Sequence, residues 1–319
     1  MNLLIVMYHY IDDEEKYKSG IYPVSVARLE NQLNKIGESF KFIGEKELVS
    51  AIEKKAVLPE RSCLITFDDG LRCQYEKALP ILESKGIPAV FYINTMPLAR
   101  EKACVVHKVH FLLAQIAVDS LLSEVKKYYL EFTDQDLEIE KIFSSLRKQE
   151  GIYDEEPIFR LKFLINSYLE RDLSEKIINN IFKHFYGDER EFCRQWYMDK
   201  EQLLKIKKSK LFSLGLHTAS HIDLSVLNKD EVYADIKDNF NYFKNEFLME
   251  TVSGISYPYG LISEIEIDEK IMPTVVEFGI KYGLTTHKGI NDDLDNPLFL
   301  KRFDTNDIEG GKSPILNFN

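Results

Sequence analysis

Two short clusters hold residue types that can do hydrolytic chemistry together, Thr66-Phe67-Asp68-Asp69-Gly70 and His217-Thr218-Ala219-Ser220-His221. In the first, adjacent carboxylates follow an apolar run, and neighbouring side chains at a strand end point in different directions. One carboxylate can then hold a cation while its neighbour, kept ionised by that cation, faces a substrate as a base. Asp-Asp-Gly is also ordinary turn chemistry, so the cluster is not diagnostic by itself. In the second cluster the i, i+4 spacing predicts both imidazoles on one face of a helical turn. Two neutral imidazoles and one carboxylate form the donor set of a divalent, zinc-like ion with one position open, which hydrolysis needs. Those donors suit Zn2+ and do not choose between it and Co2+, Ni2+, Fe2+ or Mn2+.

Strands must end at these clusters for them to meet, and the surrounding pattern supplies them. An apolar run at Leu3 to Tyr8 is followed by helical periodicity from Val26 to Ile36, with Gly37 as its expected stop. A strand is expected at Ser62 to Phe67, a helix from about Tyr75 to Lys85 closed by Gly86 and Pro88, and a strand at Ala89 to Ile93. From Leu98 to Leu214 the only glycines are Gly151 and Gly187 and the only proline is Pro157, amid residues at helical spacing. That texture predicts a helical insertion. Alternation then resumes with a helix near Asp199 to Lys208, a strand at Leu211 to Leu216, a helix at Asp230 to Phe247, a strand at Gly254 to Tyr257 and an αβ unit over Glu264 to Thr286. Strands separated by helices predict an α/β fold with parallel strands closed toward a barrel, its chemistry just after the strands. The expected division is a barrel of residues 1–97 and 198–319 interrupted by an insertion of residues 98–197.

A chain of 319 residues is long enough for one interrupted barrel, and 45% hydrophobic against 29% charged residues excludes a disordered chain. The net charge of −11 disfavours a nucleic-acid partner and anionic membrane. Met1 to His9 carries no basic segment, and its apolar run is too short for a signal peptide or a transmembrane segment, so it reads as a buried first strand. Cys63, Cys73, Cys104 and Cys193 show no C-x-x-C spacing and are expected to be thiols, with a cytoplasmic location as the corresponding expectation.

Taken together, the two clusters resemble the first two motifs of the polysaccharide deacetylase family, also called carbohydrate esterase family four, and Ser256-Tyr257-Pro258-Tyr259-Gly260 is similar to its third. The resemblance covers nearly the whole chain outside the insertion. It implies a distorted (β/α) barrel and a metal-dependent hydrolase that removes an N-acetyl group from an acetamido sugar of a surface polysaccharide or its precursor. The implied substrate is nucleotide-linked, lipid-linked or an oligosaccharide. An O-acetyl esterase, another C–N hydrolase on the same metal, and an inactive carbohydrate-binding module are the alternatives. The family pattern makes Asp69, His217 and His221 the metal ligands and Asp68 the base, with a backbone N–H near Tyr259 stabilising the oxyanion.

Position 256 is serine where many relatives carry an arginine that steers the base. Arg302, in Phe299-Leu300-Lys301-Arg302-Phe303-Asp304, matches an arginine late in some branches and is a candidate to supply that charge; with Tyr259 it is also a candidate substrate-binding residue. For the acid that protonates the leaving amine, His287 in Leu284-Thr285-Thr286-His287 and His9 at the end of the first strand stand as alternatives. Trp196 and Tyr197 precede the helix leading toward His217 and read as packing residues, with stacking on a sugar as the other reading.

Overall fold

The computed structural model describes residues 2–17, 19–144, 146 and 154–318. Among the described residues eight strands form one sheet: β1 (Asn2–Tyr8), β2 (Lys41–Phe42), β3 (Arg61–Phe67), β4 (Ala89–Ile93), β5 (Phe212–Leu216), β6 (Gly254–Ser256), β7 (Tyr282–Leu284) and β8 (Phe303–Asp304). Their order is β7-β6-β5-β4-β3-β1-β8, with β2 on the early part of β3. Each pair is parallel. The segment 300–304 is bonded on both sides, since the Leu300 N–H donates to the Gly283 carbonyl (3.0 Å) and β8 pairs with β1 at Val6 and Met7. It thereby ties the last long connection back to the first strand and closes a distorted (β/α) barrel.

Strand alternation sorts the side chains onto two faces. Leu4, Val6 and Tyr8 of β1 join a large outer cluster with Leu29, Leu33 and Ile36 from the helix Val26–Ser39. Leu3 and Ile5 join an inner cluster with Leu64, Val90, Tyr92, Tyr282, Leu284 and Leu300. Two interior glycines make room for that filling. A Cβ at Gly215 would lie 2.4 Å from the Tyr92 ring, and one at Gly254 would lie 2.3 Å from the Tyr282 ring. The tyrosines therefore occupy space that any side chain on β5 or β6 would claim.

Helix boundaries follow local chemistry. Ser25 caps Val26–Ser39, while Asp199 with Gln202 and Asn228 with Glu231 form capping boxes for Lys200–Lys208 and Lys229–Phe247. Gly86, at φ 63°, ends Leu79–Lys85 in the left-handed region that glycine enters without a Cβ penalty. Gly37 does not end its helix as its residue type suggests. The helix continues to Ser39, and a Cβ at Gly37 would meet the Phe42 ring at 3.2 Å, so this glycine serves the packing of β2.

Contacts divide the chain into two compact units, one of Met1–Asp13, Pro23–Lys102 and Cys193–Asn319, which contains the barrel, and one of Glu14–Tyr22 and Ala103–Phe192. The second unit is helical, with Val105–Gln115, Val118–Thr133, Ile139–Ser144, Glu156–Phe163 and Arg171–Phe185. Phe111, Phe182, Tyr186 and Phe192 pack there ring on ring. Buried Lys108 is neutralised by Glu189 (2.5 Å) and bonded to Asn179 (2.6 Å). The Ser19 hydroxyl donates to the Leu113 carbonyl (2.6 Å), fastening the segment 14–22 to this unit. Among the described residues no helix is long and apolar enough to cross a membrane.

Candidate active site

Strand parity places the reactive side chains on top of the inner cluster. Leu64 on β3 faces inward, so Asp68 shares its face; Gly215 leads to His217, Gly254 to Ser256 and Leu300 to Arg302. At this level the interior changes from apolar to ionic. Arg302, 1% exposed, donates through Nη1 to Asp68 Oδ1 (3.0 Å) and lies 2.9 Å from Oδ2. Its Nη2 donates to Ser256 Oγ (2.9 Å), which in turn donates to Asp68 Oδ2 (2.9 Å), and Nε donates to the Thr285 carbonyl (2.9 Å). Burial by itself would raise the Asp68 carboxyl. The Arg302 guanidinium outweighs burial and the like charge of Asp69 and holds the carboxyl below its ordinary value. Asp68 is thus a buried carboxylate fixed in its charged form.

Asp69, His217 and His221 bring one donor atom each to within 4.8 Å of one another. Asp69 Oδ1 lies 3.2 Å from His217 Nε2 and 3.1 Å from His221 Nε2. Bonds of about 2.0–2.1 Å to a tetrahedral ion imply donor separations of roughly 3.3 Å, so the set fits a divalent ion of the zinc type. His217 Nδ1 is 2.7 Å from the Ser256 carbonyl, and because a carbonyl only accepts, Nδ1 carries the proton and Nε2 presents its lone pair to the site. Ser256 thereby serves both halves of the centre, its hydroxyl on Asp68 and its carbonyl on His217.

The expected helical turn for His217 and His221 is not what forms. The segment after β5 is a loop in which Thr218 (φ 58°) and His221 (φ 60°) are left-handed, and Asp69 (φ 77°) and Tyr259 (φ 59°) share that conformation at neighbouring strand ends. Each is uncommon for a side chain bearing a Cβ and persists when surrounding bonds over-determine it. Most of those bonds come from residues that carry no motif. Asn239, inside the helix Lys229–Phe247, accepts from the His217 N–H (3.0 Å) and donates to the Ile93 carbonyl (3.0 Å) and Thr95 Oγ1 (3.1 Å). Asp235, one turn earlier, accepts from the Ser220 N–H (3.1 Å), and Thr218 Oγ1 accepts from the His221 N–H (3.1 Å). Gln74 donates to the carbonyls of both His9 (3.0 Å) and Asp68 (2.5 Å), locking the ends of β1 and β3 together. Nothing in their local sequence marks Asn239, Asp235 or Gln74; their role exists only once the strand ends are side by side.

The remaining candidates lie at neighbouring strand ends. His9 is half-buried at the end of β1, its carbonyl tied by Gln74 to that of Asp68. His287 is exposed with its ring against Phe299 (4.9 Å between centroids), while its carbonyl accepts from the Arg302 N–H (3.0 Å). Tyr259 lies edge-on to His221 (5.3 Å), and its carbonyl accepts from Thr286 Oγ1 (2.8 Å). Gly260 follows at φ 65°, where a Cβ would lie 2.4 Å from the Thr286 nitrogen, so only glycine admits this close crossing. Arg302, expected to touch substrate, is instead enclosed with all three of its nitrogens on protein acceptors. The serine at position 256 explains this: it leaves the space and the acceptor that the incoming guanidinium uses.

A parallel barrel with paired aspartates after β3 and two histidines after β5 brings together the donor types of a metal-dependent hydrolase. The sequence profile of the polysaccharide deacetylases matches residues 55–127 and 163–282, more than half of the chain, which therefore belongs to the polysaccharide deacetylase family. A comparison with curated protein sequences finds no match. Among solved structures the fold is similar to Streptococcus pyogenes deacetylase PplD in complex with acetate, at 16% identity and TM-score 0.56 over 95% of this chain and 92% of that one. It is similar also to IcaB from Ammonifex degensii, at 16% identity and TM-score 0.53 over 94% and 90%. A de-N-acetylase from Aggregatibacter actinomycetemcomitans matches at 14% identity and TM-score 0.55 over 98% of both chains.

Proposed function

We propose that this chain hydrolyses the N-acetyl group of an acetamido sugar, in a polysaccharide or its precursor, with Asp69, His217 and His221 holding a divalent metal and Asp68 as the base. The observation that carries this reading is the adjacency of an arginine-held carboxylate, Asp68, to a two-histidine, one-carboxylate donor set. Asp69, His217 and His221 would hold a zinc-like ion, which would supply Lewis acidity to the attacking water and the acetyl carbonyl. Asp68 accepts the proton of that water as its oxygen adds to the carbonyl carbon, and Arg302 with Ser256 keeps the acceptor oxygens aimed and charged. A backbone N–H near Tyr259 donates to the developing oxyanion. His9 protonates the amine nitrogen as the C–N bond breaks, and acetate and the amino sugar leave. Arg302 is in this reading a positioning residue and not a substrate contact.

The test is acetate and amine release from zinc-loaded protein supplied with N-acetylglucosamine oligosaccharides, acetamido-sugar nucleotides and lipid-linked acetamido sugars. Equimolar acetate and new amine from at least one class, abolished by chelation, is expected. Acetate from O-acetyl esters without any from amides would replace the amidase reading with an esterase, and binding without release in any metal would replace both.

A further inference from the structure

The helix Val26–Ser39 buries one stripe, Leu29, Gln32, Leu33 and Ile36. Spacing of i, i+3, i+4 and i+7 is that of an apolar core face, and Gln32 breaks it while being fully enclosed (0% exposed). A primary amide in such a layer is unfavourable unless its hydrogen bonds are made. Gln32 makes them at both ends of its amide. Oε1 accepts from the Tyr8 hydroxyl (3.2 Å) and the Thr305 hydroxyl (2.7 Å), and Nε2 donates to the Thr305 carbonyl (2.8 Å). One turn earlier Arg28 donates through Nη2 to Asn306 Oδ1 (3.0 Å), so the same helix also holds the residue after Thr305.

Tyr8 and Thr305 belong to the two chain segments that support the buried ion pair of the site. The Tyr8 carbonyl accepts from the Asp68 N–H (3.0 Å), which joins Tyr8 to the backbone of the candidate base. Thr305 stands three positions after Arg302, and its N–H donates to the Met7 carbonyl (3.2 Å), carrying the contact with β1 past the end of β8. Toward β7 the Arg302 segment is bonded through the N–H groups of Leu300 and Arg302. Toward β1 its ladder is only two residue pairs, Val6 with Phe303 and Met7 with Asp304. Gln32 adds a side-chain tie where that ladder is short. Asp68 and Arg302 meet inside the barrel at 3.0 Å, and Gln32 joins the same two segments from the outer cluster to which Tyr8 belongs. A guanidinium and a carboxylate held by directed bonds tolerate little slip between the segments that carry them.

We propose that Gln32 is a positioning residue for the Asp68–Arg302 pair: by joining Tyr8 to Thr305 on the outer face of the barrel it sets the register in which the guanidinium meets the carboxylate on the inner face. The inference rests on the reading of Asp68 as the base of a deacetylase, and its test separates the two. Gln32→Met keeps the side-chain length and removes all three bonds. In zinc-loaded protein supplied with N-acetylglucosamine oligosaccharides it should lower kcat about tenfold and leave KM within about twofold, because a misplaced base slows the chemical step without touching substrate contacts. Thr305→Val should lower kcat in the same direction and Thr305→Ser, which keeps the hydroxyl, should restore it; this pair carries the test if Gln32→Met does not fold. Ile36→Val, on the same buried stripe, should lower the urea midpoint and leave kcat within about twofold of wild type. Gln32→Met added to Arg302→Met should cost no further turnover, since both act through one pair.

The readout independent of turnover is hydrogen exchange at the Arg302 Nε–H, which donates to the Thr285 carbonyl and is identified by its loss in Arg302→Met. It should exchange about tenfold faster in Gln32→Met, or in Thr305→Val, and at the wild-type rate in Ile36→Val. Faster exchange with no acetate release from any protein, wild type included, would support the positioning role and overturn the deacetylase reading. Release by wild type with unchanged kcat and unchanged exchange in Gln32→Met and Thr305→Val would overturn the positioning role and leave the reaction standing. Additive losses of turnover in the Gln32→Met, Arg302→Met double variant would also overturn it, and unchanged exchange with no release would overturn both.

Discussion

Asp68 at the mouth of the barrel and Glu45 beside the first residues of β5 and β7 both turn a carboxyl inward, yet the first is held below its ordinary value and the second is pushed above it. At Glu45 burial is the leading influence, and the neighbours that answer it are chiefly hydroxyls: Tyr282 donates to Oε1 (2.9 Å) and receives a bond from Tyr92 (2.9 Å), with Ser213 helping. At Asp68 burial is again the largest influence, but Arg302 stands 2.9–3.0 Å away and reverses its outcome. Hydroxyls can satisfy a carboxyl in either protonation state, whereas a guanidinium stabilises only the anion. Desolvation therefore does not by itself decide which carboxyl stays ionised; the partner does.

The comparison is broken most completely by removing the metal-ligand set from it. Chelation, or Asp69→Asn, should abolish acetate release, with activity restored to the chelated wild type by zinc or cobalt; undiminished turnover in metal-free protein would remove the hydrolytic role of this set. Next in size, Arg302→Met should turn the Asp68 site into one that, like Glu45, answers desolvation without an arginine. Breaking a buried pair on one side costs about 3–5 kcal/mol. Urea unfolding should show that loss, and the double variant Asp68→Asn with Arg302→Met should recover part of it; a loss under about 1 kcal/mol would mean the pair is not energetically coupled.

Asp68→Asn alone keeps the side-chain shape but cannot accept a proton, so turnover should fall about a hundredfold while metal affinity stays near wild type. Isothermal titration with zinc and steady-state kinetics separate the two quantities, and equal falls in both would merge the roles assigned to Asp68 and Asp69. The smallest effect concerns pH. Asp68, with a depressed value, contributes stability that is present above its unfolded value of 3.8 and is lost as pH falls through the folded one. Glu45, with a raised value, contributes stability that is full below 4.5 and is lost as pH rises through its folded value. Glu45→Gln should flatten the stability curve on the neutral side of pH 4.5 and leave its acid limb in place. An unchanged slope there in thermal unfolding would show that the Glu45 carboxyl does not titrate abnormally.

Much of the barrel and most of the centre were legible because their signals are local. β4 at Ala89–Ile93 coincides with its apolar run, and β3 and β5 differ from the expected strands by one residue at their starts. Asp68, Asp69, His217 and His221 stand at strand ends as alternation implied. The segment Glu14–Tyr22 was not legible as part of the helical unit, because its tie to Leu113 spans 94 positions and leaves no periodic trace.

The sequence alone singled out the candidate residues for the chemistry, since donor type, adjacency and strand termination are properties of a few neighbouring positions. Only the tertiary structure decided how those residues are charged and aimed. Arg302 meets Asp68 across 234 positions, and that pairing exists because the segment 300–304 closes the barrel and turns its alternate side chains inward. The two histidines of the candidate metal set converge through a left-handed loop held by Asn239 and Asp235 rather than through a helix. A side chain's identity is written at one position, but the field it experiences is the sum over whatever the fold brings near it.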